Sequence, residues 1–228
     1  MRRLAIMQPT FLPWAGYFNL LAQVDDFVFL DDVQLEKQSW QTRNRLVING
    51  GAQWVSVPIC HGGLDQTILE TRVVPDRRWR QKLWRTVTQN YGKHPHFADA
   101  RGILDVVMES EEESLAKLNE EVIVYIKGQA GIQSDIHVAS GMNASGKRTE
   151  KLIDICRHLG ADEYVSPVGA KAYLTEDDFE GRAPCSLVFQ NFTPSEYPQK
   201  GVDEFIPNLS VVDVVANIGW NGLVEYVR

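Results

Sequence analysis

One stretch of the chain concentrates chemistry that the rest lacks: Lys37-Gln38-Ser39-Trp40-Gln41-Thr42-Arg43-Asn44-Arg45. Arginine forks match phosphate or carboxylate, and a tryptophan face stacks on a base or a sugar. In an extended segment Arg43 and Arg45 leave the backbone on the same side. The composition serves a second reading equally, a surface strand whose arginines pair with Asp25, Asp26, Asp31 and Asp32. His61, ahead of Gly62-Gly63, is a candidate general base on a loop; a solvent-facing loop histidine is the plainer reading. His94 and His96 flank Pro95 without a carboxylate or cysteine at ligand spacing, so no metal site is expected there. Ser145-Gly146-Lys147-Arg148-Thr149 lacks the full phosphate-loop pattern, and Ser145 or Thr149 is expected to cap the following helix instead. No Gly-x-Ser-x-Gly elbow, His-Glu-x-x-His or paired-cysteine zinc pattern is present.

The elements that must position these residues alternate in type. Leu4–Met7 reads as a strand, Trp14 to Val24 as a helix, and Phe27–Leu30 as a second, parallel strand. Leu46–Ile48 and Trp54–Ile59 flank Asn49-Gly50, the signature of a tight hairpin, with the second arm expected to be mostly buried. Trp79, Leu83, Val87 and Tyr91 step by four along a helix closed by Gly92. Helices follow over about 98–108 and from about Ser114, the latter opened by the acidic run Glu109–Glu113. Asp135–Val138, Glu163–Val165 and Ser186–Phe189 read as strands. Lys151–Leu159, capped by Gly160, and Leu209–Ile218, with Ser210 and Asp213 at its start, read as helices. The expectation is a single α/β domain over 1–228. It has an open, mostly parallel, Rossmann-like sheet with helices on both faces and a helical insertion at about 75–130.

Ligands of such a sheet bind beyond the carboxyl ends of its strands, near the switch point. That rule selects 8–17 after the first strand, Asp31-Asp32-Val33-Gln34 after the second, and Ser166 to Tyr173 after a later one. A net charge of −7 disfavours a nucleic acid, whose phosphates need a concentrated basic surface. The nearest cluster, Arg77, Arg78, Arg80, Lys82 and Arg85, reads as a solvated helix face. Hydrophobic residues at 44% exclude disorder as the default. Cys60, Cys156 and Cys185 form no disulfide framework, and Cys156 falls on an apolar helical stripe. With no leader pattern and no span of about 20 apolar residues, the expected location is the cytoplasm.

Several of these segments together resemble the WbqC-like family. They are Gln8-Pro9 with Pro13-Trp14-Ala15-Gly16-Tyr17-Phe18, then Phe29-Leu30-Asp31-Asp32-Val33-Gln34, Lys37, Ser39-Trp40 and Arg43-Asn44-Arg45. Trp54 to Pro58, Tyr91 to Lys93, Lys151 to Gly160 and Tyr164-Val165-Ser166 continue the match. Gly169, Tyr173-Leu174, Tyr197-Pro198-Gln199, Phe205, Pro207, Leu209-Ser210 and Asp213 complete it over roughly residues 4–220. Thr42 departs from the family's usual asparagine, which bears on ligand identity more than on fold.

The resemblance implies a protein of surface-polysaccharide (O-antigen) gene clusters. The implied activity is that of a transferase, acyl or aminoacyl, modifying a nucleotide-linked amino sugar or other phosphorylated small molecule. Arg43 and Arg45 would hold the diphosphate, Trp40 or Trp14 would stack, and Asp32 or His61 would act as base. Gln8, Tyr17, Lys37, Asn44, Ser166, Tyr173, Tyr197 and Gln199 would complete the binding surface. A weaker likeness links Trp14-Ala15-Gly16-Tyr17 to the His-x-Gly-His signature of nucleotidyltransferase-like proteins. Both histidines are replaced here, so adenylation loses its usual imidazoles, although a nucleotide can still be held. No cofactor is indicated. Two other functions fit: a non-catalytic scaffold of a polysaccharide-assembly complex, and a nucleotidyl or adenylate-forming enzyme.

Overall fold

A computed structural model describes residues 1–60, 62, 63 and 65–228. Five strands form one parallel sheet: β1 (Arg3–Met7), β2 (Asp26–Phe29), β5 (Asp135–Val138), β6 (Glu163–Ser166) and β7 (Ser186–Phe189). Their order is β5-β2-β1-β6-β7, with every adjacent pair parallel. The chain builds outward from β1 to β2 and β5, then returns to the other side of β1 for β6 and β7. The switch point therefore lies between β1 and β6, where the loops after Met7 and Ser166 diverge.

Strand periodicity divides the core into two layers. Leu4, Ile6 and Val28 face α5 (Thr149–Leu159), α6 (Lys171–Glu176) and α7 (Phe179–Arg182), packing with Ile155, Cys156, Leu174 and Phe179. Ala5, Phe27, Phe29 and Val165 face the opposite side, with α1 (Ala15–Ala22) and α8 (Val211–Tyr226). Helices thus cover both faces, as an all-parallel sheet requires. Cys156 and Cys185 lie within hydrogen-bonding reach of each other as free thiols, a proximity their distance in sequence conceals.

The helices α2 (Arg78–Tyr91), α3 (Phe97–Glu109) and α4 (Leu115–Gln129) occupy the insertion and share the core of the second face. Leu83, Val87 and Tyr91 form the buried stripe of α2, each stabilising by roughly 1.5–3 kcal/mol. Arg80 corrects the expectation of a wholly solvated basic face. It is 5% exposed, and its guanidinium donates to the Val107 and Glu112 carbonyls at 3.0 and 3.3 Å.

The acidic run also differs from expectation. The first turn of α4 contains no acid. Glu111–Glu113 form the connection before it, where the Glu113 carbonyl accepts Val73 N–H and its carboxylate pairs with Arg72. At α5 neither Ser145 nor Thr149 caps. Arg148 occupies the N-cap position at φ 52°, while the Thr149 hydroxyl donates to Asp177 at 2.6 Å. Gly160 closes that helix in the left-handed region, as its position suggested.

The hairpin β3 (Arg43–Ile48) and β4 (Gly51–Ser56) stands outside the sheet. It turns through Asn49 and Gly50, both at positive φ, which is what that dipeptide supplies. Its second arm is not mostly buried: Val55 is enclosed, but Trp54 is 46% exposed. A two-stranded ribbon has one face for the core and one for solvent, and Trp54 lies on the outer one. Ser210 N–H, the α8 N-cap residue, donates to the Arg45 carbonyl at 3.0 Å and ties the hairpin to the body.

Candidate functional site

The loop after β1 is locked before any ligand arrives. Asn44, 2% exposed, donates to the Phe11 and Leu12 carbonyls at 3.2 and 2.9 Å. Its Oδ1 accepts Arg45 N–H at 2.8 Å. Phe11 N–H donates to the Trp40 carbonyl at 2.9 Å, and Val211 N–H to that of Pro13 at 2.8 Å. Hairpin, first loop and α8 are therefore one assembly. The indole of Trp14 lies flat against Gly16, where an added Cβ would sit 2.2 Å from the ring. Glycine is required there for close approach rather than for unusual dihedrals.

These contacts surround a cavity of about 340 Å³ at the carboxyl end of β1. It is lined by Met7, Thr10, Pro13, Trp14, Tyr17, Trp40, Asn44, Arg45 and Asn208. Five residues selected from sequence, Trp14, Tyr17, Trp40, Asn44 and Arg45, thus meet in one place. Gln8 adjoins them: its carbonyl accepts the Tyr17 hydroxyl at 3.1 Å, and its side chain accepts from Gln41.

Arg43 and Arg45 lie on the same face of β3, as their spacing required. The Arg43 guanidinium stacks 4.2 Å from the Trp54 ring centroid, and that of Arg45 lies 6.0 Å away. Trp40 packs on Trp54 with centroids 5.3 Å apart. The salt-bridge reading of these arginines fails, because the aspartates are taken elsewhere. Asp26 accepts from Arg2 and His137, which hold its carboxyl below the usual range against the opposing effect of burial. Asp25 accepts Arg3 N–H, Asp31 accepts Ser140 N–H, and Asp32 pairs with Lys151. Both arginines keep a buried Nε without an acceptor.

Other expected residues have different surroundings. Asp32 is engaged by Lys151 through one oxygen, and the other is buried without a donor. Ser166 is fully buried at the end of β6. Tyr173 lies beneath the Arg148 guanidinium, 5.9 Å from ring centroid to carbon. Lys37 is exposed. His61 lies outside the described residues. Tyr197 and Gln199, both half-buried, donate to Oδ2 of the fully buried Asp213 at 2.5 and 2.7 Å. Burial first, and the Asp213 carboxylate next, push the Tyr197 and Tyr91 phenols far up, so both remain donors. Thr42 turns its hydroxyl to the Ser39 carbonyl at 3.1 Å, a local bond that closes the turn before β3.

Sequence reasoning missed Trp54 as the ring under the arginines, Asn119 as a partner of the Gln41 carbonyl, and Lys151 as the partner of Asp32. Asn119 left a signal. It stands four residues after Leu115 and three before Val122, on the apolar stripe of α4, where a polar side chain has no reason to be unless it bonds something. It donates to the Pro9 and Gln41 carbonyls at 3.0 and 2.9 Å.

Among the described residues, no helix is long and apolar enough to cross a membrane. No solved structure matches the chain. A Mycobacterium tuberculosis protein, the "Uncharacterized protein Rv1507c", is 32% identical over 221 residues, covering 96% of this chain and 95% of its own. The model of the WbqC-like protein family matches residues 8–225, nearly the whole length, and the chain belongs to that family.

Proposed function

We propose that the protein is a cytoplasmic transferase, acyl or aminoacyl, that modifies a nucleotide-linked amino sugar for surface polysaccharide. The observation that carries this reading is the pair Arg43 and Arg45. They share one strand face, stack on Trp54, and hold buried guanidinium nitrogens without acceptors beside an apolar cavity at a strand's carboxyl end. Two adjacent, unpaired guanidinium forks fit a diphosphate. Trp40 and Trp14 offer faces to the base or the sugar, and Gln8, Tyr17 and Asn44 fix the walls. Trp14 and Tyr17 in place of a histidine pair weigh against adenylation, which needs cationic donors on the transferred phosphate.

A thermal-shift panel of ATP, acetyl-CoA, nucleoside diphosphates and nucleotide-linked amino sugars tests the ligand class. A ligand at about a hundred times its dissociation constant adds roughly 2.7 kcal/mol of stability. The nucleotide-sugar is expected to give the selective shift. Arg43→Ala should weaken its binding by at least about tenfold, the scale of a lost charge-assisted contact. Undiminished affinity in that variant counts against the diphosphate role, and a shift with ATP alone favours a nucleotidyl enzyme.

A further inference from the structure

The cavity at the carboxyl end of β1 is walled mostly by apolar and aromatic groups: Met7, Pro13, Trp14, Tyr17 and Trp40. Two of the polar side chains in those walls are engaged with the protein itself. Asn44 gives its N–H groups to the Phe11 and Leu12 carbonyls and accepts Arg45 N–H. The Tyr17 hydroxyl donates to the Gln8 carbonyl. The remaining polar lining is the buried Thr10, the exposed Asn208 and Arg45.

Such walls discriminate between occupants. A pyranose ring placed here leaves several hydroxyls without partners, and an unpaired buried hydroxyl costs affinity. A nucleobase meets the same shortage along its polar edge. An ammonium meets a worse one. No carboxylate lines the walls, and Glu120 acts on the Tyr17 phenol without lining the cavity. Aromatic rings attract a cation, but the Arg45 guanidinium in the same wall repels it. A hydrocarbon needs no partner and gains by leaving water.

The cavity is continuous with the arginine face. Arg45 lines it and shares the Trp54 ring with Arg43. Trp40 lines it as well and packs on Trp54, with centroids 5.3 Å apart. Apolar walls therefore adjoin two guanidinium groups whose buried Nε atoms lack acceptors. That juxtaposition fits an amphipathic anion, with hydrocarbon in the cavity and negative charge at the arginines.

We infer that the cavity is a subsite for a hydrocarbon acyl group, carried on an anion that Arg43 and Arg45 hold. An apolar cavity of about 150 Å³ already accommodates a benzene ring. The volume here, about 340 Å³, takes a short acyl chain together with the edge of the group that bears it. The inference rests on the transferase reading only in taking the anion to be the diphosphate of a nucleotide-linked sugar, with the acyl group on the sugar's nitrogen. It narrows that reading, because the cavity accepts an acyl group and rejects an aminoacyl one.

Calorimetric titration compares N-butanoylglucosamine with N-β-alanylglucosamine, each free and as its UDP conjugate, with UDP and UDP-N-acetylglucosamine as references. The butanoyl and β-alanyl groups match in heavy atoms and differ in a terminal methyl against an ammonium. The wild type is expected to bind each butanoyl ligand at least about tenfold more tightly than its β-alanyl counterpart. UDP-N-butanoylglucosamine should also exceed UDP-N-acetylglucosamine by about tenfold, the scale of two buried methylenes. Trp40→Ala removes a wall and should bring the butanoyl preference below about threefold. Met7→Glu puts a carboxylate in the wall and should reverse the preference towards β-alanyl. Misfolding of one variant leaves the other. No butanoyl preference in the wild type, or one unchanged in a folded variant, overturns the subsite. If the free sugars keep the preference and UDP adds no affinity, the subsite stands and the diphosphate reading falls. If UDP adds affinity and the two acyl groups bind alike, the subsite falls and the diphosphate reading stands.

Discussion

Residue types alone do not separate a ligand-binding group from a structural one; surroundings do. Tyr197 and Arg45 both looked like binding residues in the sequence. Arg45 lines a cavity with a nitrogen left unpaired, whereas Tyr197 gives its hydroxyl to a carboxylate with no exposure at all. Asp213 gathers three donors, from Tyr91 at 2.7 Å, Tyr197 and Gln199, and Tyr91 in turn accepts Val47 N–H at 2.8 Å. The hairpin, α2, α8 and the segment before α8 meet at one carboxylate. Asp213→Ala leaves those donors buried without an acceptor and is expected to cost about 3–5 kcal/mol in urea denaturation. Tyr197→Phe removes one neutral donor and should cost about 1–1.5 kcal/mol, with nucleotide-sugar affinity within about twofold of wild type. A large affinity loss without a stability loss would return Tyr197 to the ligand. The arginine pair was legible from sequence because chemistry was concentrated in nine residues. The group that locks its surroundings was not, because Asn119 reaches the Pro9 and Gln41 carbonyls from α4, far away in sequence.

At the scale of elements, periodicity revealed strands and helices well where one stripe faces one core. β7 spans Ser186–Phe189 and α5 ends at Gly160, both as the pattern indicated. It failed where a segment serves two surroundings. The β4 arm carries an inward Val55 beside an outward Trp54, and the acidic run had local helix-end logic that contacts with Arg72 and Val73 overrode. The last helix shows a third kind of miss. Its expected end at Ile218 is where the backbone breaks: Gly219 has φ 71° and ψ −178°, after which helix resumes to Tyr226. That region of dihedral space is open essentially to glycine alone. An added Cβ would also stand 2.7 Å from His96 Nδ1, so the kink is seated against the turn before α3. Gly219→Ala is therefore expected to lower stability by roughly 1–3 kcal/mol. Chemical denaturation measures this, and an unchanged midpoint would mean the kink relaxes without consequence.

Across the whole molecule, the sheet's second face, the hairpin and α2 to α4 share a continuous core, so unfolding is expected as one transition. Such cooperativity lets a single buried carboxylate act on global stability. Glu120 titrates at about 7 in the folded chain against an ordinary 4.5, because it is buried and faces Asp31. Between those values the folded state holds a proton that the unfolded state has released. Where the unfolded state binds fewer protons, stability falls as pH rises, so this group's penalty grows from about pH 4.5 to 7 and is constant above. Glu120→Gln removes the penalty. Other groups, such as His94 with a value lowered chiefly by burial, titrate in both proteins and cancel in the comparison. The variant should match wild type near pH 4.5 and exceed it by on the order of 1–2 kcal/mol at pH 8, allowing for partial solvent screening. Urea denaturation at four pH values across this range gives the difference directly. Parallel stability curves would show that Glu120 is not held at high free energy. A widening gap would place stored electrostatic strain at Glu120, from its burial and the facing Asp31 charge.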